Sequence, residues 1–547
     1  MNLFGLKDED LDVDFDEEVV PRKRSKQPYK EATVRPPTMR EARARLESNG
    51  LFSLSNDDLG KPPLDELYPT QAEVVAGVGS NGLTSISSFT GCGGSMTGFA
   101  MAGWQDKASI EFVEAARDAL ASNYQSYVLD PVFVMEIARE VAGDMNLDFK
   151  VRSVQDEKVQ AQDETEVTFN DEESDAGTET VVEAPVDLHT SRAVFYWKPK
   201  RVKGKKVDIG LDWESTLLSL GGNLSRKFRK EVSRRAFERC EKEEGIAIWG
   251  DDIRGLDGSE LLKHLGMERG ELDCYEGSPP CKSFSMSGLR ESGWGQVLHY
   301  SDERNQRTDD LFLEALRVLD DMRPRSFVFE NVAGLTMGSA AEDVLRPMMS
   351  ALAEMGYNAE ARELNASSFD VPQSRPRVII QGIRNDHYDR DTGLPLYPVW
   401  PEVSANTYSV RDALNATERT NANTEEYLKK ASLEKYETGR IWRQLPVGSA
   451  PENKAYQMIR CHPDMPAPTI TATSAGNQPA AGPTHPFECR KFTIPEYKFL
   501  FSFPRDYVFT GNIDQQGERM GRSVPPFMMK AIASALADNL KNAEIRS

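Results

Sequence analysis

Short apolar segments alternate with helix-compatible segments over most of this chain, and this alternation constrains the fold more than any other feature. Leu83–Phe89, Ala108–Phe112 and Ile246–Trp249 are predicted strands, and helix-compatible segments follow the first two. The alternation resumes at Ile246, continues with the predicted strands Leu272–Tyr275 and Ser326–Phe329, and ends with the strand 377–381. Strands that alternate with helices predict a doubly wound α/β sheet whose ligands bind beyond the carboxyl ends of the strands. The functional side chains are therefore expected along one edge of one sheet.

The composition is that of a globular protein with a strongly acidic charge. The 547 residues carry a formal net charge of -21, which argues against indiscriminate coating of a polyanion but leaves room for a local basic cleft. No stretch approaches the roughly 20 apolar residues needed to cross a bilayer. The cysteines lack CxxC pairs and the chain begins with acidic residues, so we expect a reducing, cytoplasmic compartment and no metal site.

Composition also divides the chain into regions. Residues 1–75 are predicted to be mostly a disordered arm, and 76–384 a first α/β domain. A large insertion, 130–244, interrupts that domain. Residues 385–489 are predicted to form a smaller, irregular domain, and 490–547 to rejoin the first domain.

The net charge of the insertion 130–244 changes from negative to positive along its length. The acidic stretch from Asp156 to Glu183 is predicted to be solvated linker. Basic residues follow the aromatic run Val194–Trp197 and recur along a helical segment from Leu224. Aromatic and basic side chains together can hold a nucleic-acid strand by stacking and phosphate contact. A solvated helix face beside a packed aromatic strand explains the same pattern equally well.

Cys281 lies on a turn that suits a nucleophile. It follows Gly277, Ser278 and two prolines, and Glu330 arrives at the end of a later predicted strand. A thiol on a stiff turn with a carboxyl nearby can attack and protonate an electron-poor ring. A cysteine without such company is more often an inert buried side chain.

A glycine loop and two acids predict a pocket for an adenosine without phosphates. Phe89–Gly94 joins a strand to a helix, and its glycines let a ligand approach the backbone beside helix N–H donors. The loop lacks the GxGxxG spacing of dinucleotide sites. Glu111, at the end of the next strand, can accept both ribose hydroxyls. Asp252 and Ile253 offer an acceptor for an exocyclic amine and an apolar face for a purine ring.

The glycine loop, Glu111 and the Cys281 turn are followed by further motifs in a fixed order. These are Glu330-Asn331-Val332, Gln373-Ser374-Arg375-Pro376-Arg377, Arg490–Glu496 and Gly521–Pro526. In this order, from about Thr84 to Leu540 and without the insertion, the chain resembles a cytosine-C5 DNA methyltransferase of prokaryotic or phage type. The resemblance implies a Rossmann-like methyltransferase fold that binds S-adenosylmethionine. It also implies a target-recognition domain over 385–489, which includes the run Pro466–Thr473.

The resemblance further implies a reaction and the residues that carry it. Cys281 as thiolate adds to C6 of a flipped cytosine while Glu330 bonds N3, and C5 then takes the methyl group. Arg377 and Arg375 hold O2 of the base, and Asn331 braces the Cys281 turn. The implied cofactor contacts are Phe89, Gly91, Gly93, Gly94, Glu111, Phe112, Asp252, Ile253, Pro279, Leu311, Arg522, Ser523 and Val524.

Double-stranded DNA is the implied partner, and the enzyme is expected to act on it as a monomer in a restriction–modification or phage-modification setting. Lys282–Ser301, directly after the nucleophile, has the serine- and glycine-rich composition of a mobile loop that closes over DNA. A plain surface loop is the alternative interpretation of that segment.

Two positions depart from the family pattern. Lys282 follows the nucleophile where the family usually has glutamine, which adds a cation beside the thiol or for DNA phosphate. Arg522 stands where the family usually has asparagine, near the donor end of the cofactor, and a guanidinium would repel a sulfonium. Carboxymethyl transfer from carboxy-S-adenosylmethionine is therefore a second hypothesis. The alternative is that Arg522 turns to phosphate or pairs with a local acid such as Glu518.

Two other functions compete with DNA cytosine methylation. The tRNA-methylating branch of the same family is disfavoured by the long region 385–489, because that branch is reduced there. A catalytically silent DNA-binding relative is disfavoured because both Cys281 and Glu330 are present.

Overall fold

The structure, a computed structural model, describes most of the chain from residue 60 onward. All described residues lie in one compact unit, Leu54–Ser547. The arm before residue 60, the acidic linker, the run Val194–Trp197 and the pair Cys281-Lys282 lie outside the described residues. The described ranges are 60–129, 131–145, 186–187, 192–193, 222–240, 242–280, 297–299, 305–307, 311–336, 344–452, 457–475 and 480–546.

A mixed eight-stranded sheet lies at the centre of the described residues, which confirms the predicted α/β class. In chain order the strands are β1 (Thr84–Ser88), β2 (Gln105–Ile110), β3 (Ser126–Leu129), β4 (Val186–Asp187), β5 (Arg192–Ala193), β6 (Ile246–Trp249), β7 (Cys274–Gly277), β8 (Val297–His299), β9 (Asn305–Arg307), β10 (Ser326–Val332), β11 (Tyr357–Asn365), β12 (Pro376–Arg384), β13 (His387–Asp389), β14 (Gln457–Arg460), β15 (Ala481–Thr484) and β16 (Ala543–Ile545).

The central sheet has the order β11-β12-β10-β7-β1-β2-β6-β3. Its strands pair in parallel except at β12, which runs antiparallel to both β10 and β11. The chain proceeds from β1 outward on one side and returns through β7 on the other. This reversal is the topological switch point beside which ligands of such sheets bind.

Helices cover both faces of the sheet. In chain order they are α1 (Leu64–Leu67), α2 (Gln71–Gly77), α3 (Gly94–Met101), α4 (Glu114–Asn123), α5 (Pro131–Asp144), α6 (Gly222–Arg239), α7 (Gly258–Leu265), α8 (Leu311–Met322), α9 (Arg346–Glu354), α10 (Val410–Arg419), α11 (Glu425–Ala431), α12 (Glu437–Gln444), α13 (Ala472–Ala475), α14 (Ile494–Leu500), α15 (Ile513–Arg522) and α16 (Pro526–Lys541).

The two faces of the sheet differ in chemistry because side chains alternate along each strand. Ile86, Tyr275 and Phe329 lie in an apolar cluster that includes residues of α7 and α8. Ser87 and Glu276 occupy the alternate positions, face each other in the β1–β7 register and are almost fully buried. The face toward α3 is therefore unusually polar for the interior of a protein.

The C-terminal segment returns to the first helix after the glycine loop. A Cβ built at Gly98 of α3 would lie 2.5 Å from both Met529 Cβ and the Pro526 carbonyl oxygen. The indole of Trp104 donates to the Ala533 carbonyl at 3.1 Å. Only glycine permits this approach of α16 to α3.

The part of the predicted arm that the structure describes, residues 60–75, is folded instead. Lys61 forms a buried ion pair with Asp412 at 2.9 Å, and the Gln71 side chain donates to the Asn123 carbonyl at 3.0 Å. A capping box at Thr70 begins α2. The polar composition of the arm predicted disorder, but buried ion pairs and caps supply contacts that composition does not reveal.

Candidate active site at the carboxyl edge of the sheet

Strand register brings Glu330 and Arg377 together. Val332 of β10 lies opposite Arg377 of β12, and Glu330, two residues earlier, points to the same side of the sheet. The Arg377 Nε lies 2.7 Å from Glu330 Oε1, and each side chain is only about one-eighth exposed, at 13% and 12%. A carboxyl this sheltered and held by a guanidinium has a fixed orientation at the sheet edge.

Asn331 connects this edge to the turn that carries the predicted nucleophile. Its side-chain amide is buried and donates to the Pro279 carbonyl oxygen at 3.3 Å. The Ser278 amide lies 3.4 Å from the Ser88 carbonyl, so the same turn is also attached to the end of β1. Cys281 lies outside the described residues, two positions beyond the bond that Asn331 makes.

The glycine loop after β1 has a strained start. Phe89 has φ 51°, an uncommon conformation for a bulky residue, and Gly91 and Gly93 also have positive φ. A Cβ built at Gly91 would meet nothing within 4 Å, so the loop faces open space at that point. Glu111 accepts from the Gly91 amide at 2.6 Å, which ties the end of β2 to the loop.

The segment after α15 packs directly on this loop. A Cβ built at Gly94 would lie 2.3 Å from the Val524 carbonyl oxygen, and Ser523 Oγ lies 2.8 Å from Cys92 Sγ. Burial raises the pKa of the Cys92 thiol to about 11, so Cys92 stays a neutral packing residue. The structure thus brings the predicted residues Gly94, Ser523 and Val524 together.

Arg522 pairs with a neighbouring acid. Its Nη2 lies 2.7 Å from Glu518 Oε1, one helical turn earlier on α15, and half of the Arg522 side chain is exposed. This is the local ion pair that the sequence offered as the alternative to a cofactor contact. The pair supplies the guanidinium with a partner independent of any cofactor.

The remaining predicted cofactor residues have different surroundings. The Asp252 carboxylate caps a short 3₁₀ turn and lies 2.8 Å from Arg254 Nη1, so a buried cation already accompanies the predicted amine acceptor. Ile253 and Leu311 belong to the apolar cluster beneath the sheet. Phe112 is buried, and its carbonyl accepts from Arg117.

Arg375 makes its hydrogen bonds to segments other than the Glu330–Arg377 pair. Its guanidinium is fully buried and donates to the carbonyls of Ile470 and Gly521, at 2.8 and 3.1 Å. These bonds join the run Pro466–Thr473 to α15. Arg375 thus links two distant segments of the chain, whereas its sequence position beside Arg377 had suggested a contact with the base.

Glu276 is a buried acid near this edge that sequence reasoning missed. It lies on β7 opposite Val328 of β10, so it shares a sheet face with Glu330, two residues further on. Ser95 Oγ donates to Glu276 Oε2 at 2.5 Å. The pKa of Glu276 is raised to about 7, chiefly by burial and to a smaller extent by the nearby Glu330 carboxyl, while the Ser87 and Ser95 hydroxyls oppose the shift. A lone acid inside an apolar strand was the available signal, but the strand was predicted to end at Tyr275.

The basic helix of the insertion is docked on acidic residues rather than presented to a polyanion. Arg229 lies 3.5 Å from Glu314, and burial lowers the pKa of Arg229 to about 10. Arg235 pairs with Asp144 of α5 at 2.7 Å. Among the described residues, α6 therefore packs against acidic neighbours, whereas the sequence offered a nucleic-acid contact or a solvated helix face. Four further basic side chains of α6 pair as follows: Arg226 with Asp321, Lys230 with Glu260, Arg234 with Glu231 and Glu238, and Arg239 with Glu140.

The described residues include neither a membrane-spanning helix nor a metal-binding cluster. No helix there is long and apolar enough to cross a membrane. No group of three or more His, Cys, Asp and Glu side chains there is arranged to hold a metal ion.

A doubly wound sheet with a sheltered Glu–Arg pair, a proline turn and an open glycine loop at one edge fits an enzyme of the methyltransferase class that binds an adenosine-containing cofactor. Residues 229–538, more than half of the chain, match the family model described as C-5 cytosine-specific DNA methylase, and the chain belongs to that family. The glycine loop and Glu111 precede the matched range, so their assignment depends on the geometry described above.

Curated relatives agree with the family. Type II methyltransferase M.PspPI of Psychrobacter sp. is 30% identical over 314 residues, which cover 54% of this chain and 68% of that protein. Type II methyltransferase M1.HphI of Haemophilus parahaemolyticus is 29% identical over 299 residues, covering 52% and 73%. The solved structure of Entamoeba histolytica methyltransferase EhMeth aligns with 84% of this chain and 98% of its own at 11% identity and a TM-score of 0.41.

The family establishes the activity as DNA cytosine-C5 methyl transfer, with S-adenosylmethionine as the implied cofactor and DNA as the implied substrate. The glycine loop fits such a cofactor, because the Cβ position of Gly91 faces open space while the Glu111 carboxylate accepts from the Gly91 amide. Which residues perform which step is a separate question.

Proposed function

We propose that Cys281 is the nucleophile and Glu330 the proton donor in methylation of C5 of a flipped cytosine. The observation that carries this proposal is the 2.7 Å pair of Glu330 with Arg377 at the edge where Asn331 holds the Cys281 turn. A carboxyl that must bond N3 of a base needs a fixed orientation and shelter from water, and the Arg377 pair supplies both.

The proposed residues balance the protons and bonds of the reaction. Cys281 loses its proton and adds to C6, while Glu330 shares a proton with N3, so that electron density builds at C5. Bound S-adenosylmethionine supplies the electrophilic methyl group. Loss of the C5 proton then expels the Cys281 thiolate, N3 returns its proton to Glu330 and the thiolate regains a proton, so each turnover releases one proton in total.

Arg377 is proposed both to orient Glu330 and to contact O2 of the base, because its guanidinium has several donors and one of them serves Glu330. Asn331 is proposed as a positioning residue for the turn. Arg375 is proposed to contact neither Glu330 nor O2 of the base. Its bonds to Ile470 and Gly521 support a role in holding the segment Pro466–Thr473 against the core.

The cofactor is proposed to lie along the glycine loop, with Glu111 as the ribose acceptor. Gly91, whose Cβ position is open, allows its close approach, whereas the absence of a Cβ at Gly93 and Gly94 admits Tyr507 and Val524. Glu111 already accepts from the Gly91 and Val113 amides, and a carboxylate has capacity for further donors.

Carboxymethyl transfer remains the alternative for the donor, and the Arg522–Glu518 pair weakens the reason for it. A guanidinium that is paired with a local acid does not need a carboxylate on the cofactor.

The names of M.PspPI and M1.HphI support a type II restriction–modification setting. Region 385–489 is proposed to read the DNA sequence, with the enzyme acting as a monomer.

Nucleoside mass spectrometry tests the proposal. The protein is incubated with duplex DNA or with tRNA, and with S-adenosylmethionine or carboxy-S-adenosylmethionine, and the products are digested and weighed. We expect 5-methylcytosine from DNA with S-adenosylmethionine and its loss in Cys281→Ala. Carboxymethylcytosine as the main product would replace the donor assignment, and modification of tRNA alone would replace the substrate.

A further inference from the structure

The insertion helix α6 packs beside the turn Asp252–Gly255, which follows β6. Val232 and Ala236 of α6 are buried in the apolar cluster that contains Trp249, the last residue of β6. The ring of Phe237 lies 5.7 Å from the ring of Trp249. This half of α6 is therefore part of the packing of the sheet, although it belongs to the segment that interrupts the predicted domain.

Ser233 of α6 bonds the backbone after this turn at two points. Its hydroxyl is fully buried, donates to the Gly255 carbonyl at 3.0 Å and accepts from the Asp257 amide at 2.9 Å. Buried backbone groups need partners, and a single 3₁₀ turn, Ile253–Gly255, satisfies few of its own. One side chain of the insertion thus holds both the end of the turn and the residue that caps α7.

The start of the turn is held by an ionic cluster that α6 shares. The Arg317 guanidinium of α8 donates to the Ile253 carbonyl at 2.8 Å and to the Glu314 carboxylate at 2.7 Å. Both charged side chains are buried. Arg229 of α6 lies 3.5 Å from the same Glu314 oxygen. Because buried charges depend on fixed partners, a displacement of α6 would also disturb the group that holds Ile253.

The turn lies next to the acid proposed to hold the ribose of the cofactor. The backbone amide of Glu111 donates to the Trp249 carbonyl at 3.1 Å, since β2 and β6 are neighbouring strands. Arg117 bonds both strand ends, because one of its nitrogens donates to the carbonyls of Glu111 and Gly250 at 3.2 and 2.9 Å. A purine attached to a ribose at Glu111 is therefore within reach of the turn.

We propose that α6 supports the purine subsite of the cofactor site, with Ser233 as the positioning residue that fixes the turn Asp252–Gly255. This inference rests on the cofactor placement proposed above, with Glu111 at the ribose. A turn that is ordered before the cofactor arrives does not have to be ordered by binding, so the affinity is higher. The insertion 130–244 thus contributes to cofactor affinity through α6.

Ser233→Ala tests this support, and Ser326→Ala is the matched control. Ser326 is equally buried, and its hydroxyl donates to the Asp273 carbonyl at 2.7 Å, but it lies at the amino end of β10, away from the ligand edge. Affinity for S-adenosylhomocysteine is measured by titration calorimetry of the full chain, together with the thermal midpoint. Both variants should lose thermal stability, but only Ser233→Ala should bind on the order of tenfold more weakly.

Adenosine locates the loss within the cofactor, because it lacks the amino-acid end. Its inhibition constant in competition with S-adenosylhomocysteine should weaken by the same factor in Ser233→Ala. Ser233→Cys keeps the test decisive if Ser233→Ala does not fold, since a thiol of similar volume is only a weak hydrogen-bond donor. It should weaken S-adenosylhomocysteine binding by about threefold or more.

Glu111→Ala separates this inference from the cofactor site on which it rests, and it should also weaken S-adenosylhomocysteine binding. Wild-type affinity in Ser233→Ala beside weak binding in Glu111→Ala would overturn the inference and leave the proposed cofactor site intact. An equal loss in Ser326→Ala, or a loss that adenosine does not share, would overturn it as well. Wild-type affinity in Glu111→Ala would contradict the proposed cofactor site and the inference with it.

Discussion

At the scale of single residues, the Glu330 carboxyl has a cation, Arg377, beside it and a second acid, Glu276, on the same sheet face. Arg377 orients Glu330 at 2.7 Å, and Glu276 lies on the same sheet face one strand away. Neither partner is visible in the pattern Glu330-Asn331-Val332 alone. The register of β10 against β12 and β7 creates both relationships.

Replacing Arg377 should impair chemistry more than folding. We expect Arg377→Ala to lower the single-turnover rate by on the order of 10²-fold or more, because Glu330 loses its orientation and O2 of the base loses its proposed donor. Arg377→Lys should recover only part of the loss, since an ammonium lacks the guanidinium fork. The control is Arg362→Ala on β11, whose exposed pair with Glu360 should be dispensable. Equal losses in both alanine variants would contradict this account.

Glu276 should also make stability depend on pH. Its pKa is 4.5 in the unfolded chain and about 7 in the folded protein, so above pH 4.5 the unfolded state releases the proton first. The resulting loss of stability grows with pH up to about 7 and reaches on the order of 3 kcal/mol. Glu276→Gln should therefore gain in thermal midpoint relative to wild type between pH 5 and pH 8. A difference that stays constant or shrinks with pH would argue against a buried, ionising Glu276.

At the scale of elements, the glycine loop and α3 are held in place by the C-terminal segment. Gly94 meets Val524, and Gly98 meets α16 at Met529. The loop that is proposed to hold the cofactor is thus braced by residues more than 400 positions later in the chain.

Two glycines that differ only in surroundings test this bracing. A Cβ at Gly98 would approach Met529 Cβ and the Pro526 carbonyl to 2.5 Å, so Gly98→Ala should cost about 1 to 3 kcal/mol and weaken cofactor binding. Gly143, an exposed position on α5, has nothing within 4 Å of its Cβ position, and Gly143→Ala should be neutral or stabilising. Thermal unfolding and cofactor titration of both variants provide the comparison. Identical behaviour of the two would mean that α3 and α16 are not in close contact.

The elements themselves could largely be predicted, because periodicity is local. Strands β1, β6 and β10 begin within one residue of their predicted starts, and the alternation gave the correct α/β class. The contacts between distant segments could not be predicted. The Arg375 bonds to Ile470 and Gly521 and the pairing of α6 with acidic residues depend on tertiary approach, and a basic helix has the same sequence whether it meets phosphate or carboxylate.

At the scale of the whole molecule, the segment before β1 joins regions that are far apart in sequence. Lys61 pairs with Asp412 on α10, the Tyr68 hydroxyl donates to the Asp370 carbonyl, and Arg505 donates to the Asp65 carbonyl. Polar composition concealed these contacts. They connect the proposed DNA-reading region 385–489 to the sheet that carries the active site.

Breaking the Lys61 contact should loosen this connection. Lys61→Met leaves Asp412 buried without its cation, and we expect a loss of about 3 kcal/mol or more in the free energy of unfolding. Lys430→Met removes an exposed pair with Asp514 of similar length and should cost about 1 kcal/mol or less. Denaturant unfolding of the two variants measures both. A loss for Lys61→Met no larger than for Lys430→Met would show that the segment is only loosely attached.

The central claim is that Cys281 attacks cytosine while Glu330 supports the ring, and covalent trapping on DNA that contains 5-fluorocytosine tests it most directly. The fluorine cannot leave as a proton does, so the enzyme remains bound to C6 after methyl transfer. We expect an adduct that survives denaturation, is lost in Cys281→Ala and persists in Cys240→Ala, a cysteine that directly follows the packed helix α6. An adduct that Cys281→Ala still forms, or no adduct from a wild type that methylates DNA, would contradict the account.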